Sequence, residues 1–532
     1  MAETADLFDG YPASRNGAWD EMIAGPSQPR PAYGGVFEII SSMSADDLNE
    51  RVDTLSRTYV DQGVTFDYAG EERAFPLDLV PRIISASEWE VIDRGVKQRV
   101  TALEHLLADI YSGEGASLPR IVRDGVLPWQ LIASSDHYHR AVSGLQPANG
   151  VRIHVSGIDL IRDESGVFRV LEDNVRVPSG VSYVISNRRA MANVFPEVFD
   201  QFPVRPVDGY PALLLKALRA AAPDGAEDPT VVVLTPGVHN SAYYEHTLLA
   251  RTMGVELVEG RDLVCSGGVV RMRTTQGLKQ VDVIYRRVDD EFLDPVHFRE
   301  DSMLGCPGLV SVMRAGRVTI ANAVGNGVVD DKLVYSYVPE VIRYYLGEDP
   351  VLPNVDTYRC TEPESLQHVL DNLDSMVVKP VAGSGGKGLV IGTQASRDEL
   401  DELRTALLAD PRGWIAQPIV QLSTIPTLVD GRLAPRHVDL RPFAVNDGDD
   451  VTVLPGGLTR VALPEGQLVV NSSRGGGSKD TWVLADAEVP APARTEPDTR
   501  EVVVLSPPAV FRDDEIRAQQ QQQQQGRVVA SC

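Results

Sequence analysis

The stretch that most limits the fold runs Val377-Val378-Lys379-Pro380-Val381-Ala382-Gly383-Ser384-Gly385-Gly386-Lys387-Gly388-Leu389-Val390-Ile391. An extended apolar run enters a glycine-rich turn, and a second extended run leaves it. Gly383, Gly385 and Gly388 satisfy G-x-G-x-x-G, but a dinucleotide fingerprint opens a helix, and Leu389-Val390-Ile391-Gly392 predicts a strand. Walker A fails too, because Gly388 follows Lys387 where Ser or Thr is required. What remains is a strand–turn–strand loop. The backbone N–H groups of Gly383, Ser384, Gly385, Gly386, Lys387 and Gly388 would cover a polyphosphate, with Lys379 and Lys387 supplying charge. The plainer alternative is a glycine-rich hairpin with two solvated lysines.

Periodicity places this loop late in a mixed chain. From Ser87 to Ile110 the apolar positions recur mostly at threes and fours, which predicts a long amphipathic helix with Gly95 as its weak point. Around Ile158–Ile161 and Phe168–Leu171 the period changes to that of strands, joined by the turn-like Asp163-Glu164-Ser165-Gly166. A β-hairpin is expected there. After Ala222-Pro223-Asp224-Gly225, strands at Val231–Leu234, Val255–Val258 and Val281–Tyr285 and a helix at Tyr243–Thr252 predict a small open sheet with helical crossovers. Further strands are expected at Val318–Ala321, Met376–Ala382, Trp414–Val420, His437–Val445 and Leu468–Val470, with a helix beginning near Asp330.

Asp159, Glu172 and Asn174 fall on that upstream hairpin. Asp159 and Glu172 sit on its two strands, and Asn174 shares a face with Glu172 by the two-residue period. Two carboxylates and an amide oxygen suit Mg²⁺. Spacing alone favours the blander reading, a polar hairpin edge followed by a turn. His137-Tyr138-His139 has no neighbouring Cys or further His, so surface histidines are expected rather than a metal site. Tyr285-Arg286-Arg287 closes a strand with two cations, either to meet an anion or as a solvated strand end.

Charge narrows the partners. Fifty Lys and Arg against seventy-five Asp and Glu leave a net charge of −25, which argues against a bulk electrostatic hold on nucleic acid or an anionic membrane. Any ATP pocket must therefore be locally basic. No apolar run reaches the ~18 residues of a membrane span. The start lacks signal-peptide character, and the four cysteines are far apart with no C-x-x-C. The expectation is a soluble, cytoplasmic protein without a disulfide scaffold.

Together these pieces resemble the ATP-grasp superfamily. The resemblance implies that Lys332, in Asp330-Asp331-Lys332, and Lys379 are the two nucleotide lysines, and that Gly383–Gly388 is the phosphate loop. It also implies that Trp414–Val420 is the adenine hinge, with Gln417 and Ile419 at the nucleotide, and that Asp159, Glu172 and Asn174 are the metal set. In ordinary ATP-grasp chains the metal set follows the lysines, but here it precedes them. The chain therefore resembles the circularly permuted ATP-grasp group, type 2 branch, whose relatives include glutathionylspermidine synthase. The likeness covers roughly residues 75–484, including Arg176–Tyr183, where Ser179, Ser182 and Tyr183 would meet substrate, and Asn471–Gly477. Relatives carry Arg two residues before the first metal Asp. Gly157 stands there instead, so Arg176, Arg441 or Arg460 would supply the catalytic charge. His437-Val438-Asp439-Leu440-Arg441-Pro442 looks like a kinase catalytic loop, but Asn446 is misplaced and no Asp-Phe-Gly follows. That segment reads better as a strand aiming Arg441 at phosphate.

The expected fold class is α/β and α+β, a circularly permuted ATP-grasp with a small open-sheet α/β domain. Its parts would be a partly flexible N-terminal segment (1–75), a metal-carboxylate part (76–222), a substrate-side α/β domain (226–328), ATP-binding lobes (329–484) and a disordered tail (485–532). The function this implies is ATP- and Mg²⁺-dependent ligation of a small-molecule or peptide carboxylate to an amine through an acyl phosphate. The competing class is a non-catalytic ATP-binding regulator or scaffold of the same fold.

Overall fold

The computed structural model describes residues 7–8, 10–12, 17–68, 71–113, 118–381, 388–467, 470, 476–485 and 518–520. The central element is a nine-stranded sheet. Its main path runs Val451–Val453, Phe443–Asn446, Val155–Arg162, Arg432–Arg441, Leu458–Val461, Gly477–Val483 and Leu77–Ile84. Phe168–Asn174 pairs with Val155–Arg162, and Thr424–Val429 pairs with Arg432–Arg441. Sequence-distant strands thus become neighbours, and Leu440 pairs directly with Leu160.

The predicted hairpin forms. Asp159 faces Glu172 and Gly157 faces Asn174, and a register shift after Asp159 brings Leu160 opposite Val170. One extra residue on the second strand marks a bulge beside the two carboxylates, a device that re-aims side chains. The long helix spans Ala86–Ile110, and Ser85 caps it by accepting a hydrogen bond from the Glu88 N–H while the Glu88 carboxylate accepts from the Ser85 N–H. Its inner face joins a core with Ile84, Ile158, Leu160 and Val170. Gly95 is required there, because a Cβ would lie 2.4 Å from Leu352 Cγ.

The small open sheet is four-stranded and parallel, in the order Thr319–Ala321, Val283–Arg286, Val231–Leu234, Glu256–Val258. A three-stranded antiparallel meander over Leu263–Val281 is attached, which the sequence reading missed. A second four-stranded sheet, antiparallel, has the order Tyr358–Arg359, Trp414–Pro418, Met376–Pro380, Val390–Ile391. It has its own small core around Val369, Leu373, Val378, Leu407 and Ala416.

Three expected segments are described only in part. The described part of the N-terminal segment is packed: Tyr33, Val36, Ile40, Leu55 and Tyr59 are buried, and Glu21 pairs with the fully buried Arg82 at 2.5 Å. In the expected strand Leu468–Val470, only Val470 falls among the described residues, and it is not in a strand. Within the expected disordered tail, Gln519 and Gln520 are helical and buried. Residues 382–387 of the glycine-rich loop, 471–475 and most of the tail lie outside the described residues.

Candidate active site

The carboxylates come from the hairpin. Alternation on adjacent strands puts Asp159, Asp439, Arg441 and Arg460 together: Asp439 faces Arg460 across one ladder, and Arg441 follows Asp439 by two residues. Arg441 grips both oxygens of Asp159 through Nε and Nη2. Arg460 Nη2 donates to Asp159 Oδ2 at 2.7 Å and to Asp439 Oδ2 at 2.5 Å. Burial works to raise the Asp159 pKa, but the two guanidinium groups outweigh it and hold the carboxyl well below its usual range. Asp439, also buried, is instead pushed upward despite Arg460.

Gly157 now has a structural reason. A Cβ there would lie 3.0 Å from Arg441 Cδ and 3.2 Å from Pro178 Cβ. The stem of Arg441 crosses the glycine on its way to Asp159. Arg441, from another strand, thus fills the space that a side chain at position 157 would take.

Glu172 stays 35% exposed at its side chain, with Arg441 Nη2 3.9 Å away. Asn174 Nδ2 lies 3.5 Å from Glu172 Oε1. Both lysines sit in the field of Glu172, and Lys379 also feels Lys332 and Asp159. Lys332 opens the helix Lys332–Ser336, where Asp331 caps by accepting from the Leu333 N–H at 2.9 Å. Desolvation lowers its pKa, partly offset by Glu172 and Asp331. Lys379, on Met376–Pro380, is pushed down to about 8 by burial, with Glu172 opposing and Lys332 reinforcing the shift. Its Nζ donates to Gln417 Oε1 at 2.6 Å, and Gln417 Nε2 donates to Thr357. Gln417 thus holds Lys379 in place, while Ile419 follows the end of its strand, half-buried. Gly388 has φ +69 at the far side of the glycine-rich turn, and a Cβ there would lie 3.2 Å from Pro380 Cγ. Gly383, Ser384, Gly385, Gly386 and Lys387 lie outside the described residues.

Other expected residues are placed differently. Arg176 does not reach Asp159. It donates to Asp330 Oδ2 at 2.9 Å, 154 positions along the chain, with Asp289 3.7 Å away. Burial drives the Asp330 carboxyl up to about 6 despite Arg176. Ser179 meets Arg441 only through its backbone carbonyl. Ser182 is fully buried and gives its hydroxyl to Glu245 Oε2 at 3.0 Å. Tyr183 packs its ring on Phe75. Ser182 and Tyr183 are both buried, and Glu245 caps the start of their helix by accepting from the Gly180 and Ser182 N–H groups.

The histidines expected at the surface are half-buried. Burial and Arg176 push His137 down to about 3, and His139 lies 3.4 Å from Asp290. Arg286 and Arg287 are buried rather than solvated: Arg286 pairs with Asp290 at 2.6 Å and Arg287 with Glu245 at 2.8 Å. Asn322 was not anticipated. At the end of the parallel sheet, its amide bonds the Val155 N–H and the Val155 and Val175 carbonyls, tying that sheet to the hairpin.

The donor set limits how a divalent ion could be held. Among the described residues no group of three His, Cys, Asp or Glu is arranged to hold a metal. Mg²⁺ needs only one or two carboxylates when phosphates and water complete its shell. Glu172 and Asn174 fit that role. Asp159 fits it only when its arginines are drawn elsewhere.

Residues 81–462 match the circularly permuted ATP-grasp type 2 family. The chain belongs to that family. Membership implies ATP binding, in keeping with two lysines gathered beside Glu172. A protein of Mycobacterium tuberculosis described as uncharacterized is 59% identical, covering 90% of this chain and 86% of its own length. A Synechocystis protein, likewise uncharacterized, is 50% identical over 88% of this chain and 97% of its own length. A Frankia casuarinae protein named "Putative glutamate--cysteine ligase 2-2" is 47% identical over 87% of this chain, which spans about half (53%) of that protein. The solved structure of a glutathione synthetase-like effector from Globodera pallida, in apo form, shares the fold. Its TM-score is 0.54 at 11% identity, over 83% of this chain and 98% of that one. In the sheet, upstream Val155–Arg162 lies between the downstream strands Phe443–Asn446 and Arg432–Arg441.

Proposed function

We propose that the protein is an ATP-dependent carboxylate–amine ligase working through an acyl phosphate. The observation that carries this is the clamp of Arg441 and Arg460 on Asp159, which pairs with Glu172 across the hairpin, and the charge of Glu172 in turn acts on Lys332 and Lys379. Lys332, Lys379, Arg441 and Arg460 stand against Asp159, Glu172 and Asp439, four cations to three carboxylates, on an otherwise acidic body. Such an arrangement suits a triphosphate transferring its γ-phosphoryl group, where catalysis is mostly positioning and charge stabilisation.

A substrate carboxylate oxygen attacks the γ-phosphorus, the bond to the bridging oxygen breaks, and ADP leaves. The amine nitrogen then attacks the acyl carbon, phosphate departs, and the amine proton passes to solvent. Lys332 and Lys379 would neutralise the polyphosphate, with Gln417 holding Lys379 on line. Arg441 and Arg460 would exchange Asp159 for phosphate oxygens, freeing Asp159 to join Glu172 and Asn174. Asp159, Glu172 and Asn174 would hold Mg²⁺, which when bound would supply positive charge against the triphosphate. The Frankia names put amino acids first among the candidate substrates.

One observation favours a second reading. Both oxygens of Asp159 are engaged by arginine, as they would be in a nucleotide-binding protein that performs no transfer. ADP release across pairs of amino acids, peptides and amines, with mass spectrometry of products, separates the two. ADP together with an amide product supports the ligase, and nucleotide binding without ADP release with any pair supports the second reading.

A further inference from the structure

The carboxyl end of the parallel sheet in the small α/β part carries a contact to which the proposed ligation assigns no role. The Val231–Leu234 strand leads into a loop through Gly237, His239 and Asn240 before the helix Tyr243–Met253. The carboxyl edge of an open parallel sheet is where such folds seat ligands. Here the edge holds two glutamine side chains from the far end of the chain. Gln519 and Gln520 are only 6% and 4% exposed, although nearly 200 residues separate them from the sheet.

Each carboxamide is met by main chain. Gln519 Oε1 accepts from the Met303 N–H at 2.9 Å, and its Nε2 donates to the Asp301 carbonyl at 2.7 Å. Gln520 Oε1 accepts from the His239 N–H at 3.0 Å, and Asn240 Nδ2 donates to the Gln520 backbone carbonyl at 3.3 Å. The Gln520 amide nitrogen sits where a Cβ on Gly237 would lie, 2.4 Å away, and Gly237 has φ +118. Only glycine leaves that space in that conformation. The Gln519 contact requires one donor and one acceptor in the same planar group. A glutamate would set a carboxylate oxygen against the Asp301 carbonyl, leaving repulsion in place of a hydrogen bond.

We propose that this edge is a carboxamide-reading site whose occupants are the chain's own Gln519 and Gln520. Docking places the tail on the loop that leads to Glu245, the residue capping the helix that begins beside Ser179.

Hydrogen exchange with mass spectrometry on the full-length protein reads the site directly, because the His239 and Met303 amides donate to the glutamine oxygens. In a variant with all seven glutamines changed to Ala, both amides should exchange at least tenfold faster, while the Val231–Leu234 strand keeps its protection. A synthetic peptide of residues 516–526 should restore protection, and the same peptide with Glu at each Gln should not. Protection in the unaltered protein should be independent of its concentration, as an intramolecular contact requires. Unchanged exchange in the Ala variant, equal rescue by the Glu peptide, no rescue by the Gln peptide, or protection that rises with protein concentration would each overturn the proposal.

Discussion

Lys379 carries a sharp prediction because its ammonium is poised near neutrality. Burial holds it at about 8, and a bound triphosphate would favour the charged form. Binding should therefore take up a proton above that pH, and ATP affinity should fall by about tenfold between pH 7 and 9. The sign follows from the depressed value: the free protein loses the charge as pH rises through 8, whereas the complex keeps it. Calorimetry in buffers of different ionisation enthalpy checks the uptake, and Lys379→Met should flatten the profile. A flat profile in the unaltered protein would remove Lys379 from the nucleotide. Lys379→Ala should weaken ATP about tenfold or more, as loss of a charge-assisted contact worth ~1.5–3 kcal/mol implies.

Asp159 and Gly157 show what sequence could reveal at this scale. The hairpin was legible from strand period and the turn at Asp163–Gly166, and so was the pairing of Asp159 with Glu172. The arginine clamp was not, because it joins residues 282 and 301 positions apart through strand pairings that no local pattern encodes. The burial of Ser182 and Tyr183 was not legible for the same reason: Glu245, which accepts from the Ser182 N–H and hydroxyl, comes from the helix Tyr243–Met253, 63 positions along the chain. Gly157→Leu should displace the Arg441 stem and abolish most turnover while leaving the fold intact by circular dichroism. Full activity in that variant would show that Arg441 need not cross this glycine.

At the scale of elements, the long helix offers a contest of two effects. Gly95→Ala gains ~1 kcal/mol of helix propensity. The added methyl would sit 2.4 Å from Leu352 Cγ in a closed core, and overpacking there costs about 1–3 kcal/mol. The clash should win, so the denaturation midpoint should fall. A rise would show that Leu352 gives way freely. Strand and helix positions were largely legible, from the Ala86–Ile110 helix to the Val231–Leu234 strand. The Leu263–Val281 meander was missed because its strands are short and its outer strand is mostly exposed, leaving little apolar alternation to read.

For the whole molecule, the account rests on one sheet joining distant parts of the chain. Its strands bring Asp159 between Arg441 and Arg460, and the packed lobes bring Lys332 and Lys379 to Glu172. If these make one nucleotide site, saturating MgATP stabilises the native state by mass action, ~2.7 kcal/mol at a hundred times Kd. The melting temperature should then rise by a few degrees, and Lys379→Ala should shrink that rise.

The Mg²⁺ dependence of ADP release in Glu172→Gln tests the shared site most directly. The substitution keeps nearly the same size and removes one carboxylate charge from the upstream hairpin, far in sequence from either lysine. Nucleotide should still bind through Lys332 and Lys379, while the Mg²⁺ concentration for half-maximal ADP release rises at least tenfold and the maximal rate collapses. Unchanged turnover with unchanged Mg²⁺ dependence would mean that the hairpin is only a polar edge of the sheet, and that the phosphate-transfer site lies elsewhere.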